Sequence, residues 1–179
     1  YLDTEGNFRP ERIVAIAERF GLDPEDTLEN VIHARIFTHE HQMDAVRDIA
    51  ALAISDGPIR VVIIDSIMAL FRTEFCGRGE LSERQQKLGH HLLALTRLSE
   101  EFNMAVVYSN QTMADPGAMA MFAVPKPVGG HVLAHASTTR ISLKKGKGEE
   151  RIAKIFDSPM MPEAEATYAI TSGGIRDVS

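Results

Sequence analysis

The stretch Arg60-Val61-Val62-Ile63-Ile64-Asp65-Ser66 decides how this chain is read. Four consecutive β-forming residues, Val61 to Ile64, run without a polar break and stop at an acid. A strand apolar on both faces is the signature of a parallel sheet covered on both sides. An acid at its carboxyl end then stands at the crevice where open α/β sheets bind their ligands. In nucleotide hydrolases an aspartate so placed holds the Mg²⁺ that neutralises phosphate charge, usually through water. The alternative is a buried strand whose aspartate only caps the turn that follows.

Strand-like and helix-like segments alternate on both sides of this stretch, which predicts an α/β fold with a parallel sheet. Tyr1 to Thr4 reads as the end of a strand. Ile13, Ile16, Ala17 and Phe20 then recur at i, i+3, i+4 and i+7, the stripe of an amphipathic helix that Gly21 is placed to end. Val31 to Phe37 reads as a strand, and Thr38 as the N-cap of a helix whose apolar face holds Met43, Val46, Ala50 and Ala53. Ser82 to Asn103 reads as a long helix with Leu88, Leu92, Leu95 and Phe102 inward, and Met104 to Asn110 as another strand. Beyond residue 130 the character changes to short β-type runs, Ser137–Lys145, Arg151–Phe156 and Glu165–Ile170, with a hairpin turn at Lys144-Lys145-Gly146-Lys147-Gly148. The predicted architecture is a parallel sheet flanked by helices and extended by antiparallel strands at the C-terminal end.

Two stretches lack a usable period: Arg72 to Glu80, and Thr112 to Gly130, where Pro116, Pro125, Pro127, Gly117, Gly129 and Gly130 gather. Loops of such length inside a compact domain are usually functional or disordered.

Bulk composition sets outer bounds. A chain of 179 residues with 44% hydrophobic and 25% charged residues suits one globular domain. Its net charge of −6 excludes a binder that relies on bulk positive charge, so any contact with nucleic acid falls to local groups. Cys76 is the single cysteine, which rules out an internal disulfide and fits a reducing compartment. No apolar run is long enough for a membrane span, and residue 1 does not open a signal-peptide pattern. The chain starts at Tyr1 without Met and inside a strand, so a preceding segment is expected.

Three strands end in polar groups: Asp3-Thr4-Glu5, Asp65-Ser66 and Ser109-Asn110-Gln111. As parallel neighbours they would meet at one crevice, with Asp65 for a metal, Glu5 to activate a water and Gln111 to contact a terminal phosphate. A phosphate-cradling G-x-x-x-x-G-K-[ST] loop does not occur in these residues. His39-Glu40-His41 and His90-His91 lack the spacing of a zinc site and are expected on helix surfaces. Cys76, in a Gly-rich loop without an adjacent histidine, is not expected to be a nucleophile.

Several segments together carry a resemblance: 2–12 (Leu-Asp-Thr-Glu-Gly-Asn-Phe-Arg-Pro-Glu-Arg), 63–72, 77–86 (Gly-Arg-Gly-Glu-Leu-Ser-Glu-Arg-Gln-Gln), 114–118 (Ala-Asp-Pro-Gly-Ala), 129–140 and 154–159 (Lys-Ile-Phe-Asp-Ser-Pro). In this order they resemble the ATPase core of the RecA/RadA recombinase family, starting just past its phosphate-binding loop. Ser-Ile-Met-Ala-Leu-Phe and Ala-Asp-Pro-Gly-Ala resemble the meiosis-specific eukaryotic branch. The resemblance implies that residues 1–179 form the C-terminal part of one RecA-like ATPase domain, with DNA loops at 72–84 and 112–130. It implies ATP and Mg²⁺ as cofactors. Glu5 would orient the attacking water, Asp65 would serve the metal through water, Gln111 would sense the γ-phosphate, and Arg12 would lie against the adenine ring. Asp157, Ser158, Pro159 and Pro162 match the segment that caps a neighbouring subunit's nucleotide, and His135 matches a histidine that reaches the neighbour's γ-phosphate. For DNA it implies Arg72, Arg78 and Arg84 in the first loop and Pro116, Gly117, Lys126, Gly129 and Gly130 in the second, with Met119, Met121 and Phe122 as apolar wedges. Family members usually show an Asp-Pro-Lys-Lys-Pro run before the Gly-Gly; here Phe122 is followed by Ala-Val-Pro-Lys-Pro, with Lys126 the single lysine, and the stretch reads as two residues shorter overall.

The same resemblance implies an activity: homologous pairing and strand exchange on single- and double-stranded DNA, in nuclear chromosomes. It implies self-association into a filament or ring and contact with recombination mediators. Val31–Phe37 with the Met43–Ile54 helix resembles the surface that receives a neighbour's Phe-x-x-Ala peptide. Without the phosphate loop these residues alone are expected not to hydrolyse ATP. The alternatives are a helicase-type motor of the same fold and a non-catalytic adaptor.

Overall fold

A computed structural model describes residues 1–77, 79–113 and 126–178. In chain order the elements are β1 (Leu2–Asp3), α1 (Pro10–Arg19), α2 (Pro24–Glu29), β2 (Ala34–Arg35), α3 (His39–Ser55), β3 (Val61–Asp65), α4 (Ala69–Glu74), α5 (Leu81–Phe102) and β4 (Ala105–Tyr108). They continue with β5 (Thr112–Met113), β6 (Lys126–Pro127), α6 (Gly130–Ala136), β7 (Arg140–Lys145), β8 (Glu150–Asp157), β9 (Ala164–Thr171) and β10 (Gly174–Asp177). The chain divides into two compact units, one of residues Tyr1–Asn7 and His33–Ala136, the other of Phe8–Ile32 and Ser137–Ser179.

The first unit is built on a sheet of order β2-β1-β3-β4. All its neighbours are parallel, with Leu2 opposite Ile64, Asp3 opposite Asp65, and Ile64 opposite Tyr108. Val62 and Ile64 of β3 are buried with Val46 and Ile49 of α3, Phe71 of α4, and Leu88, Leu92 and Leu95 of α5. The alternate residue Ile63 is only partly covered and Val61 is exposed, so β3 is fully buried on one face rather than two. Thr38 caps α3 as its sequence predicts, its Oγ1 accepting from the His41 amide at 3.1 Å. At the far end of α5 Asn103 takes φ +50°, and the Met104 amide bonds back to Ser99 O at 3.1 Å, which turns the chain at once into β4.

The second unit pairs α1 and α2 with an antiparallel sheet of order β10-β9-β8-β7. Ala17 of α1 is buried, and Gly21, at φ +69°, follows the helix end as expected. Arg19 donates to the carbonyls of Gly173 and Ile175 at 3.0 and 2.6 Å, which fastens α1 to the β9–β10 turn. The Lys144–Gly148 hairpin is present between β7 and β8.

Some elements depart from the sequence reading. The strand expected over Val31–Phe37 shrinks to Ala34–Arg35, because Val31 is taken up in closing α2, its amide bonded to Leu28 O. Helix α2 was not anticipated; Asp23 caps it by accepting from the Glu25 and Asp26 amides, and Pro24 opens it. The first irregular stretch begins inside α4, so Arg72 is helical. The ends of the second stretch pair as β5 and β6, and Val128 N bonds to Gln111 O at 3.0 Å. No helix among the described residues is long and apolar enough to cross a membrane.

Candidate nucleotide and metal crevice

The polar ends of β1, β3 and β4 lie side by side because the three strands are adjacent and parallel. Their junction is stitched by Thr4. Its hydroxyl accepts from the Ser66 amide at 2.7 Å and donates to the Ser66 carbonyl at 3.0 Å, while its own amide bonds to Asp65 O. The Asp65–Ser66 peptide is cis. Beyond the stitch the Ser66 hydroxyl donates to Glu5 Oε1 at 2.8 Å, and Gln111 Nε2 donates to the same oxygen at 2.9 Å. Asp65 accepts from the Tyr1 phenol at 2.7 Å and from the Ser109 hydroxyl at 2.5 Å, one bond to each carboxylate oxygen. Burial and the hydrogen bond to Asp65 push the Tyr1 phenol above its ordinary range, so it stays a donor. Thr4, Glu5 and Gln111, together with Ala69, Leu70, Arg72 and Thr73, line a recess of about 440 Å³.

Glu5 owes its place to Asp3, whose side chain is 3% exposed. Its Oδ1 accepts from the amides of Glu5, Gly6 and Asn7 at 3.1, 2.6 and 3.1 Å, winding residues 5–7 tightly around the strand end. A buried carboxylate needs such donors to offset its lost hydration. Arg35 Nη1 lies 3.7 Å from the same oxygen and donates to Asp3 O at 2.7 Å.

The donor set of Asp65, Ser66, Ser109 and Glu5 is entirely oxygen, the chemistry that a hard cation such as Mg²⁺ prefers. Each Asp65 oxygen carries one hydrogen bond and keeps a second lone pair, which suits contact through a water. The residues present therefore fit the metal.

The Rad51 family model matches residues 1–178. The chain belongs to the Rad51 family. Its fold is accordingly RecA-like, with a parallel sheet flanked by helices and antiparallel strands at the C-terminal end. Among curated relatives, Meiotic recombination protein DMC1 homolog A of Oryza sativa subsp. indica is 57% identical over 178 residues, covering 99% of this chain and 52% of that protein. Meiotic recombination protein DMC1 of Saccharomyces cerevisiae is 58% identical over 182 residues, covering 100% of this chain and 54% of its own length. The Mus musculus DMC1/LIM15 homolog is 58% identical over 180 residues, covering 99% and 53%. The chain thus spans about half the length of the curated relatives it matches.

The other residues assigned by resemblance to this family fall in several places. Arg72, in the last turn of α4, donates to Gln111 Oε1 at 2.7 Å. Arg84 is in the first turn of α5, and its Nε is buried without a hydrogen-bond partner among the described residues. Gly129 and Gly130, at φ +104° and +65°, lead into α6, and Gln85 Nε2 donates to Gly129 O at 3.3 Å. Lys126 is in β6 opposite Met113. His135 is in the last turn of α6, its ring stacked with that of His131 at 6.2 Å. Arg78, Pro116, Gly117, Met119, Met121 and Phe122 lie outside the described residues.

In the second unit Arg12 donates to the carbonyls of Thr171 and Ser172 at 3.0 and 3.2 Å, beside a recess lined by Ile16, Phe20 and Ile170. Asp157 ends β8 and faces Arg140 at 3.5 Å. Ser158 Oγ meets Thr139 Oγ1 at 3.2 Å and accepts from the Met160 and Met161 amides, which closes the exposed turn holding Pro159 and Pro162.

Two histidines expected on helix surfaces are buried. His91 is 1% exposed on α5, packed against Phe71, with Gln42 Nε2 at 3.2 Å from its Nε2. Burial lowers its pKa to about 4. His39 is 4% exposed; its amide and Nδ1 both engage Glu74, at 2.7 and 2.6 Å, and Lys87 Nζ lies 3.1 Å from Nε2. His91 stands three residues after Leu88 and four before Leu95, and His39 four before Met43 and seven before Val46, so helical spacing puts both on the apolar faces; the polarity of imidazole alone suggested the surface. His39, Glu40 and Glu74 gather their donor atoms within 4.8 Å, but the Lys87 ammonium beside His39 opposes a cation there.

The residues that sequence reasoning left without a role are Tyr1, Asp3, Thr4, Ser66 and Ser109. The available signal was that three strand ends each carry several polar residues rather than one. Register alone decides which of them face each other.

Proposed function

We propose that the protein carrying this chain is an ATP-dependent recombinase that forms filaments on single-stranded DNA and catalyses homologous pairing and strand exchange in meiotic recombination on nuclear chromosomes. The observation that carries the reading is the convergence of Glu5, Asp65 and Gln111 at adjacent parallel strand ends in a Rad51-family chain. Relatives at 57–58% identity that bear the name meiotic recombination protein support the meiotic assignment.

In this reading Glu5 is the base that holds and orients the attacking water, with Ser66 and Gln111 fixing its carboxylate. Asp65, held by Tyr1 and Ser109, serves Mg²⁺ through water. The metal's contribution is to neutralise charge on the phosphates. Gln111 stands at the root of the second loop, where its Nε2 suits a γ-phosphate oxygen. Arg12 takes the adenine, and Asp157, Ser158, Pro159, Pro162 and His135 serve the nucleotide of an adjoining subunit. Arg72, Arg78, Arg84, Lys126, Gly129, Gly130, Pro116 and Gly117 take DNA phosphates. Mediator proteins and further copies of the protein are the expected partners. These 179 residues hold no phosphate-binding G-x-x-x-x-G-K-[ST] loop, so alone they should not turn over ATP.

The test compares the full-length protein with its Glu5→Gln variant in single-strand-stimulated ATP hydrolysis and in strand exchange on homologous duplex. Hydrolysis should fall about 10²-fold or more while nucleotide binding persists. Hydrolysis at the wild-type rate in Glu5→Gln would restore the adaptor reading, and closed rings in place of filaments on single-stranded DNA with ATP under the electron microscope would restore the motor.

A further inference from the structure

We propose that Arg72 is a positioning residue for Gln111: it fixes which end of that amide faces Glu5, and so links the first loop to the catalytic carboxylate. The inference rests on the functional reading above. It follows from the chemistry of three consecutive side chains, Arg72 Nη1 to Gln111 Oε1 at 2.7 Å and Gln111 Nε2 to Glu5 Oε1 at 2.9 Å.

A glutamine amide has two ends of nearly equal shape and opposite polarity. A guanidinium can only donate, and an ionised carboxylate can only accept. Between the two, one orientation satisfies both contacts. The reverse would set the NH₂ against a cation and the carbonyl oxygen against an anion. Arg72 and Glu5 together therefore hold Gln111 with its donor end toward the crevice, the end that a phosphate oxygen requires.

Arg72 also begins the segment assigned to the first DNA loop. A DNA phosphate and Gln111 Oε1 are thus competitors for one guanidinium. When a phosphate draws Arg72 away, Oε1 loses its donor and the amide is released to turn. A single side chain reports occupancy of the loop to Glu5, with no need for a backbone change between them.

The competition gives a readout other than turnover. In Gln111→Met the side chain keeps its length and loses its acceptor, so Arg72 is surrendered to phosphate more readily. The full-length protein, labelled oligo-dT and fluorescence anisotropy in the absence of nucleotide are the materials. Gln111→Met should bind about fivefold more tightly than wild type, the size set by one exposed charge-assisted hydrogen bond. In an Arg72→Ala background the same substitution should change affinity by less than about 1.5-fold, since no competition remains. A merely structural lesion would not raise affinity. If wild type binds oligo-dT and Gln111→Met binds equally or more weakly, the proposal is overturned while the recombinase reading stands. If wild type does not bind oligo-dT, the recombinase reading fails, and this inference with it.

Discussion

Replacing Thr4 with Val removes one oxygen and adds one methyl carbon at almost constant volume. Judged by hydrophobicity alone the change should stabilise the protein, because Thr4 is 6% exposed. The structure predicts the opposite. The Thr4 hydroxyl is partner to both backbone polar groups of Ser66, accepting from its amide at 2.7 Å and donating to its carbonyl at 3.0 Å. Ser66 is 3% exposed, so neither group can turn to bulk water. Each buried backbone group left unpaired costs about 1–3 kcal/mol, the amide more dependably than the carbonyl. The sum is about 3 kcal/mol after allowance for some relaxation. Thr4→Ser keeps the hydroxyl and loses one buried methyl, so its cost is about 1 kcal/mol. Urea unfolding of the full-length variants, followed by far-UV circular dichroism, gives the comparison at unchanged m. Val below Ser below wild type is the expected order. Val equal to or above Ser in stability would show that the junction of β1 and β3 does not depend on this stitch.

Two further outcomes follow from buried groups. His91 is held neutral in the folded protein to about pH 4, against an ordinary value near 6.5, so between those limits the unfolded state binds a proton the native state refuses. Its contribution to stability is whole above pH 6.5 and is lost as pH falls toward 4, by about 3 kcal/mol at most. The difference in unfolding free energy between His91→Leu and wild type should shift in the variant's favour over that window, and a pH-independent difference would contradict the assignment. Gly129→Ala should cost about 2 kcal/mol, because φ is +104° and a Cβ would sit 2.9 Å from Leu133 Cβ. Chemical denaturation reads it directly, and a cost below about 0.5 kcal/mol would mean that the turn into α6 relaxes freely.

Much of this was legible in linear order. The run Val61 to Asp65 forms β3 as read, Thr38 caps α3, and the helix read over Ser82–Asn103 appears as Leu81–Phe102. These are local effects, set by side-chain branching, periodicity and one hydroxyl at a cap. The strand expected at Val31–Phe37 was shortened because a turn claimed Val31, a competition between hydrogen bonds that composition does not express. His39 and His91 are expected at the surface only if imidazole polarity outweighs spacing, since each lies on the apolar stripe of its helix, with Met43 and Val46 or with Leu88 and Leu95. Burial was decided by Glu74, Phe71 and Gln42, which arrive from other helices.

The same division runs through the crevice. Position at the end of an apolar strand is what makes Glu5, Asp65 and Gln111 candidates, since an acid or amide closing such a strand is recognisable from one short segment, and the order of motifs along the chain named the family. Which of the neighbouring hydroxyls and acids support them was decided only by folding: Asp3 gathering three amides, Thr4 pairing with Ser66 across 62 residues, Arg72 reaching Gln111 across 39. The reason is range. Strand propensity and caps act over a few residues and are written in sequence, whereas a hydrogen bond acts over about 3 Å and exists only after β1, β3 and β4 have aligned in register.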